Sequence, residues 1–96
     1  MLVKIEVKQE HIDTGVVGDP CRCPLALAIA PHIRNGYWAE VGMYRARYGN
    51  RGLEVRQTDR VLPPLALDFR QRFDQKLVVA PITFEIDIPE EMYVGR

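Results

Sequence analysis

Hydrophobic and polar positions alternate strictly at the start of the chain. In residues 2–8 ("LVKIEVK"), Val3, Ile5 and Val7 fall on one face and Lys4, Glu6 and Lys8 on the other. That period of two predicts a half-buried strand. Residues 11–20 ("HIDTGVVGDP") lose the pattern and carry the breakers Gly15, Gly18 and Asp19-Pro20, so they read as loop. Apolar residues then crowd together between Pro24 and Pro31. Leu25, Leu27, Ala28 and Ile29 predict a short helix that is apolar nearly all round and therefore buried on more than one side. Pro24 suits its first position, where the missing N–H would have gone unpaired. Pro31 should kink or shorten the helix, and Asn35-Gly36 offers a stop.

Alternation returns in residues 37–48 ("YWAEVGMYRARY") and predicts one long strand. Ala39, Val41 and Met43 would share one face; Trp38, Glu40, Gly42, Tyr44 and Tyr48 would share the other. "GNRG" (49–52) predicts a hairpin loop, and "LEVRQ" (53–57) its returning partner. In residues 62–76 ("LPPLALDFRQRFDQK") Pro63 and Pro64 open a helix. Leu65, Phe69 and Phe73 recur at fourfold spacing, while Arg70, Gln71 and Arg72 point mainly outward. The last strand, residues 81–88, alternates Ile82, Phe84, Ile86 and Ile88 against Thr83, Glu85 and Asp87. Residues 89–96 read as a frayed tail. The predicted order is β-α-β-β-α-β, that of the ferredoxin-like fold: an α+β domain with two helices on a four-stranded antiparallel sheet.

Ninety-six residues make a single domain, 1–96, and a content of 47 % hydrophobic and 27 % charged residues excludes a disordered chain. The longest apolar run is too short to span a bilayer, and the N-terminus lacks the pattern of a signal peptide. No membrane association and a cytoplasmic location are therefore expected. Charge is zero overall but uneven. Residues 34–60 hold six arginines against Glu40, Glu54 and Asp59, a net of +3 that the flanks compensate. Such a segment can recognise an anion locally without making the chain a general polyanion binder.

Two constellations carry candidate chemistry. Cys21, Cys23, His11 and His32 are all the cysteines and histidines of the chain, and together they would complete a Cys₂His₂ zinc site. The Cys-x-Cys spacing is not the usual one, and neither histidine belongs to a paired motif. Cys23, just before a helix start, would feel the positive end of the helix dipole and could form a low-pKa nucleophile with a nearby histidine. The ordinary alternative is packing around the helix start, since cysteine is among the most buried residue types; no cofactor is expected.

The second constellation is the arginine–tyrosine hairpin: Tyr44, Arg45, Arg47, Tyr48, Arg51 and Arg56. Guanidinium groups grip phosphates and aromatic faces stack bases, while Tyr, Trp and Arg also anchor protein interfaces. The plainer alternative is a solvated face whose arginines pair with Glu40, Glu54 and Asp59. Trp38 beside Tyr37 suits the core or a homodimer contact. No Gly-rich phosphate loop, HExxH or GxSxG is present, and an enzyme is not expected.

The apolar helix opened by Cys23-Pro24, the strand pair within 37–56, the Pro-started helix ending in Phe73-Asp74 and the final Pro81-x-x-Phe84-Glu85 strand together resemble small uncharacterised proteins of bacteriophages and prophages. The resemblance spans most of the chain but rests on packing residues. It implies a phage accessory protein in the host cytoplasm, including an anti-CRISPR-like inhibitor of host defence, and assigns no site. The expectation is a non-enzymatic interaction protein that binds a host protein through the hairpin. The alternatives are a nucleotide or nucleic-acid binder that sequesters a signal, and a zinc-stabilised structural domain.

Overall fold

The computed structural model describes residues 1–51 and 57–95. Strand β1 (Leu2–Val7) has the expected alternation of exposed and buried positions and pairs antiparallel with the C-terminal strand. There follow helices α1 (Gln9–Thr14) and α2 (Pro24–Ile29), strands β2 (Tyr37–Val41), β3 (Arg45–Asn50) and β4 (Gln57–Val61), helix α3 (Pro64–Asp74) and strand β5 (Ile82–Asp87).

The α+β class holds, but the single four-stranded sheet does not. Among the described residues the strands form two sheets, β1–β5 and β2–β3–β4. One reason lies in residues 37–48, which are two strands and not one. The chain reverses at Met43–Tyr44, where Gly42 N–H donates to the Arg45 carbonyl at 2.9 Å and Val41 pairs with Ala46. Gly49 and Asn50, expected in the hairpin loop, instead close β3. Of the expected return strand, Leu53, Glu54, Val55 and Arg56 lie outside the described residues, and Gln57 begins β4.

The expected loop at 11–20 begins instead inside α1. Lys8 N–H donates to His11 Nδ1 at 2.9 Å, and Gln9 Nε2 donates to Asp13 Oδ1 at 2.9 Å. Only Ile12 turns partly into the core, so the helix lacks an apolar stripe that periodicity could detect. Helix α2 starts at Pro24 as predicted and ends at Ile29, and Pro31 sits in the 3-10 turn that follows. Gly36, at φ 92°, occupies the left-handed region at the turn into β2.

Helix α2 packs on both β1 and β2, and α3 packs on β5. The core lies between them. Val3, Ile5 and Val7 meet Ile86, Phe84 and Ile82 across the β1–β5 register and pack with Leu25, Ile29, Val41, Tyr48, Phe69 and Phe73. Each large side chain fully buried here contributes about 1.5–3 kcal/mol. The inward stripe of α3 is Ala66, Phe69, Arg70 and Phe73; Leu65 is half exposed. Arg70, expected to point outward, is therefore buried, with Nε 3.3 Å from Asp74 Oδ2. The two sheets are tied by Arg60 of β4, whose Nε donates to Asp87 Oδ2 of β5 at 2.6 Å. The segment expected to fray instead docks: Glu90–Met92 forms a 3-10 turn, Met92 is buried, and Tyr93 bridges to Ile33. Among the described residues, no helix is long and apolar enough to cross a membrane.

Candidate functional site

Cross-strand register sets the chemistry of the outer face of β2–β3–β4. Trp38 faces Gly49, Glu40 faces Arg47, Arg47 faces Asp59, and Arg45 faces Val61. The opposite face, with Val41, Ala46 and Tyr48, belongs to the core. One row across the sheet alternates acid, base and acid. Arg47 lies 3.5 Å from Glu40 (Nη1 to Oε1) and 3.3 Å from Asp59 (Nε to Oδ1). The Arg47 charge is thereby compensated, as the plainer reading of the hairpin supposed.

Arg45 and Arg51 differ from it. Both are exposed, and neither side chain has an acidic partner among the described residues. Tyr44 and Met43, at the turn, are 58 % and 59 % exposed, and Val61 beside Arg45 is 67 % exposed. Met43, Tyr44, Arg45 and Val61 form an apolar, aromatic and cationic rim at one end of the sheet. Tyr48 is a correction to the predicted surface set. It is fully buried, and burial, with the nearby Asp87 charge, pushes its hydroxyl well above the usual range. Arg56 lies outside the described residues.

Trp38, absent from the predicted set of binding residues, organises the other end of the face. Its indole covers Gly49, and its Nε1–H donates to the Asn50 carbonyl at 3.2 Å. A bulky aromatic followed eleven residues later by a glycine inside a strand pattern is a signal, but only once the pairing register is known.

Two shallow grooves flank the face. The first, about 370 Å³, runs under the turn between Pro20 and Glu40, Met43, Tyr44 and Arg45. The second, about 530 Å³, lies along the outer edge of β2. Its far wall is Ala30 and Ile33, Cys21 and Glu40 border it, and Arg34 and Arg51 line it as well.

The cysteine–histidine constellation is not brought together. Cys23 is buried at the N-cap of α2, where its Sγ accepts from Ala26 N–H at 3.4 Å. Burial pushes its thiol up from the ordinary value, overcoming the Ala26 hydrogen bond and the charge of Arg70, which is opposite to the low-pKa alternative and consistent with packing around the helix start. Cys21 is exposed, His11 binds the backbone of Lys8, and His32 stacks on Tyr93 with centroids 6.3 Å apart. Among the described residues, no group of three or more His, Cys, Asp or Glu side chains is placed to hold a metal ion. Compared with known proteins, the chain matches no family model, no curated protein and no solved structure.

Proposed function

We propose that the chain is a small non-enzymatic binding protein that engages another protein through the outer face of β2–β3–β4 and its turn. The resemblance to phage and prophage proteins makes the partner a host protein, and inhibition of a host defence system, in the anti-CRISPR manner, the role. The observation that carries this reading is the rim at Met43, Tyr44, Arg45 and Val61. It sets three exposed large side chains beside an arginine without an acidic partner among the described residues. Tyr and Arg at the centre of an interface are the usual holders of binding energy, and exposed apolar clusters mark contact surfaces.

The electrostatics favour a binder over a catalyst. Among the described residues, Cys23 and Tyr48 are pushed up by burial and Asp87 is held down by ion pairing. All three move away from the range in which general acids and bases operate near neutrality. A protein partner is favoured over a nucleotide because the Trp38 indole already covers Gly49 and Arg47 is already compensated.

The test is affinity purification from bacterial host lysate with the wild-type chain and with a Tyr44→Ala/Arg45→Glu variant. Far-ultraviolet circular dichroism establishes that the variant is folded. Loss of a host protein captured by the wild type, with the fold intact, supports the reading. Equal capture by both chains overturns it.

A further inference from the structure

Among the described residues the groove along β2 is an open sheet edge, and its backbone can be assigned atom by atom. In an antiparallel pair, residues alternate between those whose N–H and C=O bond the neighbouring strand and those whose groups point away. Two bonds flanking β2 set the phase. Gly42 N–H donates to the Arg45 carbonyl at 2.9 Å, and Arg51 N–H donates to the Gly36 carbonyl at 2.8 Å. Trp38 and Glu40 therefore bond β3, while Tyr37, Ala39 and Val41 direct their backbone groups outward. Two outward donors are already used: Tyr37 N–H by the Arg34 carbonyl at 3.1 Å, and Val41 N–H by the Pro20 carbonyl at 2.7 Å. The N–H and C=O of Ala39 and the C=O of Tyr37 and of Val41 remain, and among the described residues no strand lies alongside them. The chain's own loop at Pro20–Cys21 meets the edge at Val41 and Glu40.

We infer that this edge receives an extended, acid-bearing segment of a protein partner, added as a fourth strand beside β2. The inference rests on the proposed function in taking the partner to be a protein, and it names a second contact. Backbone pairing supplies sequence-independent attraction, and the adjoining groove supplies selectivity. Ala30, Ile33 and Ala39 leave room for small apolar side chains. The charge is one-sided. Arg34 and Arg51 line the groove without an acidic partner among the described residues, Arg34 donating only to the Tyr93 carbonyl at 3.4 Å. The groove's one carboxylate, Glu40, is compensated by Arg47. An incoming Asp or Glu meets two cations there. A second copy of the chain fits less well. Two β2 edges paired about Ala39 would set each Tyr37 carbonyl against a Val41 N–H that Pro20 already holds.

The test selects peptides from a displayed random twelve-residue library on the immobilised full chain and synthesises the tightest binder. Amide hydrogen exchange is then measured with and without that peptide. The expected result is an acidic peptide that slows exchange at Ala39 at least about tenfold and whose affinity falls about tenfold or more in an Arg34→Glu/Arg51→Glu variant, a change of about 1.4 kcal/mol. Both arginines are exposed, and circular dichroism checks the variant's fold. Failure to select any peptide, an unchanged Ala39 amide, or unchanged affinity in the variant each overturns the inference. So does a dimer whose Ala39 amide is protected without peptide, which would make a second copy the occupant. A chain that captures its host protein through Tyr44 and Arg45 yet shows no protection at Ala39 sinks this inference alone. Peptide protection at Ala39, with host capture unaffected by the Tyr44→Ala/Arg45→Glu variant, sinks only the rim reading.

Discussion

The Trp38 indole lies flat across the strand pair onto Gly49, its partner in the β2–β3 register, so that a Cβ at position 49 would penetrate the ring. The glycine is retained for space and not for backbone freedom, because its φ is not in the positive region. Gly49→Ala should therefore cost about 1–3 kcal/mol by overpacking. In the Trp38→Ala background the same change should cost well under 1 kcal/mol. A double-mutant cycle read by urea unfolding measures the coupling. Additive costs would show that the indole does not occupy that space in solution.

Arg70 is 3 % exposed, and its Nε and Nη1 make no hydrogen bond among the described residues, although Nε lies 3.3 Å from Asp74 Oδ2. Removing a buried charge whose partner can reach water relieves a desolvation penalty. Asp74 is 25 % exposed and also accepts from Gly18 N–H. Arg70→Met should leave stability within about 1 kcal/mol of wild type, or raise it. A loss above about 3 kcal/mol in chemical denaturation would mean that the ion pair is a net stabiliser.

Asp87 accepts from the Met1 ammonium and from Arg60, and these partners hold its carboxyl below the usual carboxylate range. A carboxylate depressed in the folded state contributes stability that is present above its unfolded pKa, about 3.9. That contribution is lost as pH falls through the lower folded value. The Tm advantage of wild type over Asp87→Asn should therefore be constant between about pH 5 and 7 and shrink below about pH 4. A difference independent of pH down to 2 would assign the effect to packing.

Cys21 is exposed and Cys23 is fully buried with a raised thiol pKa. Under native conditions at pH 8, a thiol reagent should label one cysteine per chain rapidly, and mass mapping should place the label on Cys21. Cys23 should react only after denaturant is added. Rapid labelling of both would mean that the start of α2 opens readily.

What the sequence determined by itself is the local part of this protein. The alternation in residues 2–8 and 81–88 specified β1 and β5 and their buried faces, because burying one face fixes the side-chain period of a strand. Pro24 and Pro64 marked the first turns of α2 and α3, because a residue without an N–H costs least there. The reversal at Met43–Tyr44 was hidden, since neither residue is a turn former and the Gly49-Asn50 pair nearby looked like a better turn. The α3 stripe was ambiguous, because Phe69 and Phe73 belong equally to a face with Leu65 and to one with Ala66 and Arg70. Helix α1 gave no periodic signal, with Ile12 alone turned inward. Tertiary structure alone decided which arginines are compensated, which tyrosine is exposed, and which edge of the sheet is open. Each of those depends on cross-strand neighbours and on chain segments packed from far along the sequence, and no local pattern encodes who those neighbours are.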